Sequence, residues 1–62
     1  MTVEELAGYL PFDKQYVLKD IYHNTVYKGG LSPMLKVDFE YADWEIGMIH
    51  DFDYDQMIIY IE

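Results

Sequence analysis

The sequence contains no cysteine and no arginine, and its 62 residues include only two prolines and one tryptophan. Without cysteine the fold gains no support from disulfides, and metal sites built on thiolates are excluded. No run of apolar residues approaches the roughly 20 that a membrane-spanning helix needs. The chain begins with glutamates rather than the basic and then apolar stretch of a secretory signal. We therefore expect one small cytoplasmic domain over residues 1–62.

The shortage of basic residues leaves a strong negative charge, because twelve Asp and Glu against four Lys give −8 at pH 7. Residues 1–30 carry four acids and three lysines, a balance of −1, whereas residues 31–62 carry eight acids and one lysine, a balance of −7. Direct binding to nucleic acid or to an anionic membrane requires the opposite sign. The charge therefore favours either simple solubility or a basic protein partner.

Apolar residues make up 52% of the chain and aromatic residues 18%, which is typical of a globular domain rather than a disordered one. Thr2 and Glu5 have the spacing of a helix capping box. An apolar residue then recurs at helical intervals, at Val3, Leu6, Ala7 and Leu10. The pattern predicts a first helix over 2–10, ended by Pro11 because the residue before a proline avoids the helical conformation.

Residues 13–28 fit two structures. Segments 16–22 and 25–28 are rich in β-branched and aromatic residues, and the intervening His23 and Asn24 suit a turn, which indicates a hairpin. The alternative is a helix over 13–28, since some apolar residues also have helical spacing, namely Leu18, Ile21, Tyr22 and Val26. The tyrosine, valine and threonine content favours the hairpin, with Tyr22 and Thr25 expected as cross-strand neighbours.

Residues 33–44 also fit two structures. Ser32 and Pro33 are typical of a helix start, yet the residues that follow alternate between apolar and charged as in a half-buried strand. We prefer a short helix or turn from Pro33 onward. Segments 46–52 and 57–61 predict a closing hairpin around an acidic turn at 53–55. The core is expected to include Leu6, Leu10, Val17 or Leu18, Ile46, Ile58 or Ile59, and Ile61.

These elements predict an α+β fold in which the N-terminal helix packs on a mainly antiparallel sheet of about four strands, with a short middle helix. The T-V-x-E-L of residues 2–6, the Y-K-G of 27–29 followed by Ser32 and Pro33, and the I-I-x-I of 58–61 resemble small uncharacterised acidic proteins of bacteriophages and mobile elements of Gram-positive bacteria. The resemblance implies the order helix, hairpin, short helix, hairpin, and it brings no catalytic residues. It also implies inhibition of a host enzyme by binding, as anti-CRISPR and other anti-defence proteins do.

The sequence gives only weak support for a metal site or for acid–base catalysis. Asp51, Asp53 and Asp55, with Glu62 as the twelfth residue, have the spacing of an EF-hand loop, but Gln56 stands where that loop requires glycine. An acidic turn is the favoured interpretation, and a weak divalent-metal-binding module is an alternative. Neither histidine has a nucleophile with a glycine-built oxyanion site nearby. The sequence also contains no phosphate-binding glycine loop. We therefore predict a non-enzymatic protein with no cofactor, no metal ligand and no catalytic residue.

The function that the sequence favours is an inhibitor or regulator that binds a basic, nucleic-acid-binding surface of a host protein and so mimics nucleic acid. Carboxylates would pair with the lysines and arginines that normally hold phosphates, and aromatic rings would anchor the contact. The residues predicted to bind the partner are Asp43, Trp44, Glu45, Asp51, Asp53, Tyr54 and Asp55. The alternative is an accessory phage-type protein that forms a homodimer through an aromatic surface around Tyr41, Trp44 and Tyr54.

Overall fold

The computed structural model describes residues 1–51 and 55–62. A short helix, α1 (Val3–Ala7), precedes the strands β1 (Gln15–Lys19) and β2 (Thr25–Gly29). A 3-10 helix (Ser32–Leu35) and an irregular segment lead to β3 (Ile46–Asp51) and β4 (Gln56–Ile61). The strands form one sheet in the order β2-β1-β4-β3. The α+β class, the N-terminal helix and the four-stranded sheet are confirmed.

Helix α1 begins as the sequence predicts but ends earlier. The hydroxyl of Thr2 accepts a hydrogen bond from the Glu5 amide at 3.3 Å, and the Glu5 carboxylate accepts one from the Thr2 amide at 2.9 Å. The helix stops at Ala7 instead of continuing to residue 10. Gly8 disfavours helix and Pro11 restricts the residue before it, so 8–10 form tighter turns.

The hairpin over the second segment is confirmed, and the alternative helix over 13–28 is wrong. Strands β1 and β2 pair antiparallel from Tyr16 opposite Gly29 to Lys19 opposite Thr25. Tyr22 lies in the connecting loop, so the expected pairing of Tyr22 with Thr25 is wrong. The Asp20 carboxylate ends the strand early, because it accepts hydrogen bonds from the amides of Tyr22 at 2.9 Å and Asn24 at 3.0 Å.

The middle segment is helical at its start, as preferred, and it is not a strand. Pro33 lies at the start of the 3-10 helix, which buries Met34. Residues 36–45 then form successive turns, and Leu35 and Val37 are exposed by 45% and 97%. The alternation of apolar and charged residues here therefore does not mark a strand, because the backbone over 36–44 folds into turns instead of an extended conformation.

The sheet is mixed, since the two hairpins meet through a parallel pairing of β1 with β4. One face packs on α1 and the 3-10 helix, and it buries Val3, Leu6, Ala7, Tyr16, Leu18, Leu31, Met34, Ile59 and Ile61. The predicted core is confirmed at Leu6, Leu18, Ile59 and Ile61, with Leu10 and Ile46 half-buried at its margin. Tyr16, Leu31 and Met34 are core residues that the sequence did not predict.

The opposite sheet face is not covered by α1. Side chains alternate along a strand, so Val17 points away from its neighbours Tyr16 and Leu18 and lies on this open face. A shallow groove of about 330 Å³ on this face is lined by Val17, Lys19, Thr25, Lys28, Gln56 and Ile58. Two of the four lysines therefore lie together on this face.

Candidate binding surface

Backbone hydrogen bonds bring acidic residues from distant parts of the chain together. The amide of Glu4 donates to Ala42 O at 2.8 Å, and that of Val3 donates to Trp44 O at 2.9 Å. Glu45 and Glu62 exchange two backbone hydrogen bonds, at 3.1 and 3.0 Å. The result is an exposed surface, here called the acidic surface, that consists of Glu4, Asp43, Glu45 and Glu62.

Few positive charges neutralise the carboxylates of the acidic surface. Within residues 1–50 and 55–62, its one ion pair joins Glu45 to the amino group of Met1, at 3.1 Å, and both groups are at least half exposed. Lysine does not pair with Glu4, Asp43 or Glu62 in that part of the chain. The fold therefore concentrates negative charge here instead of dispersing it.

An aromatic row fixes the 36–45 segment. Tyr27 of β2 contacts Phe39 edge to face with ring centroids 5.2 Å apart, Phe39 contacts Tyr41 at 5.8 Å, and Tyr41 contacts Trp44 at 5.4 Å. Such contacts add about 0.5–1.5 kcal/mol each beyond simple burial. The row runs from the margin of the core to the surface, where Trp44 is 37% exposed. Trp44 is thus a well-positioned ring among carboxylates.

A pocket lies beside Trp44, and the parallel pairing of β1 with β4 creates it. Parallel strands end at the same edge of a sheet, so the residues after β1 lie next to the end of β4. The pocket has a volume of about 250 Å³ and is lined by Asp20, Ile21, Tyr22, Trp44, Ile61 and Glu62. Its walls are mainly apolar and aromatic, with two carboxylates. We call it the Trp44 pocket.

Asp20 is held in its charged form at this pocket. The backbone amide of Asn24 lowers the pKa of Asp20 most, and the amide of Tyr22 and the side chain of Asn24 add to the effect. The loop that these bonds close places His23 in the left-handed region, with φ of 67°. The His23 ring contacts Tyr60 edge to face at 5.3 Å. These hydrogen bonds and this ring contact therefore fix the conformation of the loop that forms one wall of the pocket.

The predicted partner-binding residues lie at two ends of the sheet. Asp43, Trp44 and Glu45 are close together on the acidic surface. Asp55 precedes β4 and therefore lies at the other end, about 20 Å away for six extended residues. The backbone of Asp51 is also at that far end, opposite Met57.

The side chain of Asp51 and all of Asp53 and Tyr54 lie outside the described residues, so their predicted part in binding stays a prediction. The same holds for metal binding by the triple aspartate. Elsewhere in the chain, no three His, Asp or Glu side chains gather closely enough to hold a metal ion.

Sequence reasoning missed Asp20, Tyr22 and Glu62 as members of the site. Asp20 and Tyr22 looked like strand residues, and Glu62 entered only as the last position of a calcium loop. Nothing local marks them, because they meet Trp44 only through the pairing of two strands about 40 residues apart. A signal existed in part, since Asp20 and Asn24 have the residue types that close loops.

Comparison with known proteins gives no relative to guide the assignment: the chain matches no protein-family model, no curated protein and no solved structure. Of the helices in residues 1–51 and 55–62, none has the length and apolar character to cross a membrane.

Proposed function

We propose that this chain is a non-catalytic binding protein whose acidic surface occupies a basic, nucleic-acid-binding surface of a partner protein. The observation that supports the proposal is the convergence of Glu4, Asp43, Glu45 and Glu62 around the exposed Trp44. Concentrated charge with a single ion pair in residues 1–50 and 55–62 works against folding, so a use in binding is its best explanation.

The proposed contact replaces phosphates with carboxylates. Lysine and arginine of the partner would form charge-assisted hydrogen bonds to the acidic surface, and the net charge of −8 would steer the two proteins together. Trp44 would supply the apolar anchor, as tryptophan commonly does at interfaces. A partner occupied in this way loses access to nucleic acid, and the chain is then an inhibitor or regulator of it. The resemblance to phage-type proteins suggests a bacterial anti-defence setting, including anti-CRISPR inhibition.

Affinity capture from a Gram-positive lysate tests this function. The chain should retain basic nucleic-acid-binding proteins at about 50 mM NaCl and lose them at about 500 mM, because such contacts are strongly screened by salt. A Glu4→Gln/Asp43→Asn variant should retain much less. Single variants give the matched comparison: Asp43→Asn should retain less than Asp13→Asn, which removes the same charge outside the acidic surface.

The captured partner is then mixed with labelled nucleic acid, which the chain should displace. Capture of no basic protein at either salt concentration, or equal losses from the two single variants, would contradict the proposal.

A homodimer is the second candidate, and β3 favours it. β3 is an edge strand, and its Met48 and Ile49 side chains are 55% and 44% exposed. An exposed apolar edge is a template for pairing with a second strand. Sedimentation equilibrium decides this: a salt-tolerant dimer that a Met48→Lys substitution dissociates supports it, and a monomer up to about 1 mM chain rejects it.

A further inference from the structure

We propose that the Trp44 pocket binds one arginine side chain of the basic partner, and this inference rests on the proposed function. The pocket volume of about 250 Å³ is below the range of roughly 300–1,000 Å³ typical of small-molecule sites. A single side chain from a protein is therefore a better occupant than a free metabolite.

The residues that line the pocket favour a side chain that has both an apolar stem and a positive charge. Asp20 is ionised, and Glu62 is exposed with no ion-pair or hydrogen-bond partner for its carboxylate in the described part of the chain. The walls of the pocket are mainly apolar, so they fit the aliphatic stem of a long side chain, while Asp20 and Glu62 place negative charge beside it. An acidic side chain would be repelled by them and by the neighbouring Asp43 and Glu45.

Arginine fits better than lysine for two reasons. The walls contain the rings of Tyr22 and Trp44, on which a flat and weakly hydrated guanidinium stacks, whereas an ammonium group holds its water strongly. The guanidinium also has several donors in a plane, which can reach carboxylates on different sides of the pocket.

Asp20 retains the capacity to accept such a donor. Its Oδ1 accepts both loop amides, while Oδ2 accepts only a long hydrogen bond of 3.4 Å from the Asn24 side chain.

The experiment uses Trp44 as its own reporter, because it is the only tryptophan in the chain. Three short blocked peptides are titrated that differ at one position: arginine, lysine or citrulline, the neutral analogue of arginine. The arginine peptide should change Trp44 fluorescence in a saturable way, with the lysine peptide binding about fivefold more weakly. The citrulline peptide should not bind detectably, because it lacks the charge that the two carboxylates require.

Matched variants locate the effect in the pocket. Glu62→Gln and Tyr22→Ala should each weaken the arginine peptide about threefold to tenfold, because each removes one contact to the guanidinium. Glu40→Gln changes the charge by the same amount as Glu62→Gln but lies outside the pocket, and it should leave the affinity nearly unchanged. The far-ultraviolet circular dichroism spectrum of each variant confirms that it is folded.

The outcomes separate this inference from the proposed function. Equal affinity for the arginine and lysine peptides, or equal effects of Glu62→Gln and Glu40→Gln, would overturn the arginine site even if capture of basic proteins succeeds. A Trp44 response that follows the predicted order would support the arginine site even if no nucleic-acid-binding protein is captured.

Discussion

The loop residue His23 shows how one backbone angle decides the effect of a substitution. Its φ of 67° lies in the left-handed region, which costs most residues other than glycine about 1–2 kcal/mol. The loop requires this angle because the Asp20 carboxylate binds the amides on both sides of His23. The strain is partly offset by the contact of the His23 ring with Tyr60, 5.3 Å between centroids.

We therefore expect His23→Gly to be more stable than His23→Ala by about 1 kcal/mol, although glycine usually destabilises relative to alanine. Both variants lose the ring contact with Tyr60, so their difference isolates the backbone term. Urea denaturation of the two proteins measures it. Equal stabilities, or a more stable alanine variant, would show that the loop relaxes to a negative φ.

The burial of Tyr16 at the centre of the core was the feature hardest to predict from the sequence. It is fully buried, and its hydroxyl donates to Pro11 O at 2.5 Å. A tyrosine can occupy the centre of so small a core only when its polar tip finds such a partner. The strand pattern indicated that Tyr16 lies in β1, but its hydroxyl partner depends on how the chain returns from α1.

At the scale of elements, the 3-10 helix closes the core that α1 leaves open. Helix α1 has only five residues, which is too short to cover a four-stranded sheet. Leu31 and Met34, at 2% and 1% exposure, join the side chains of α1 and the sheet in one buried cluster. The small helix is thus part of the core, although it looks like a connecting turn in the sequence.

Leu31→Ala should therefore cost about 2–5 kcal/mol, which is the usual range for a large core side chain cut to alanine. A domain of this size has little stability to lose, so we expect the variant to be largely unfolded at 37 °C. Leu35→Ala is the control, since Leu35 is 45% exposed, and its cost should be small. Thermal melts by circular dichroism compare them; similar midpoints would mean that Leu31 does not pack as described.

Local sequence signals predicted the helices and strands, but they did not predict which distant strands pair. Thr2 with Glu5, Asn24 between two strand-forming segments, and Ser32 with Pro33 each act within a few residues, and each marks the boundary or turn that the structure has. The parallel pairing of β1 with β4 has no local signature, yet it brings Asp20 and Tyr22 next to Ile61 and Glu62 in the Trp44 pocket. Phe39 and Tyr41 alternate with charged residues as strand residues do, but in the structure their rings pack in the aromatic row.

At the scale of the molecule, charge is segregated. Lys19 and Lys28 lie on the open sheet face, while the acidic surface lies around α1 and the end of β4. In residues 1–50 and 55–62 no ion pair joins a lysine to Glu4, Asp43, Glu45 or Glu62, so solvent and salt must screen the repulsion among these carboxylates.

Added salt should consequently stabilise the isolated chain. Between about 20 and 500 mM NaCl the screening length falls severalfold, and a gain of about 0.5 kcal/mol would raise Tm by roughly 2–4 °C. The Glu4→Gln/Asp43→Asn variant should respond less, because part of the repulsion is already gone. Calorimetry at a series of salt concentrations tests this, and a Tm that falls with salt would show that attraction dominates the surface charges.

The free energy of unfolding should be highest over a middle range of pH and should decrease at both acid and alkaline pH. The pKa of Glu5 is lowered by the hydrogen bonds from Thr2, and the pKa of Asp20 is lowered mainly by the Asn24 amide. Groups with lowered pKa values stabilise the fold above the pKa of the unfolded chain, and that stability is lost as pH falls through the folded pKa. The decrease at acid pH should therefore begin below about pH 4. Thr2→Ala should weaken the part that depends on Glu5.

The decrease at alkaline pH depends on two tyrosines. Burial raises the pKa of Tyr16 and of Tyr27, and each hydroxyl donates a hydrogen bond that only the neutral phenol can make, to Pro11 O and to Gly30 O. The unfolded chain therefore loses these protons first, so stability is full below about pH 10 and declines as pH rises through the folded pKa values. Tyr27→Phe keeps the ring against Phe39, 5.2 Å between centroids, and removes only the titrating group. It should lower stability at pH 7 by about 1 kcal/mol and make the decline above pH 10 shallower. Melts of both proteins between pH 7 and 11 decide this, and parallel declines would mean that Tyr27 ionises as easily in the fold as in the unfolded chain.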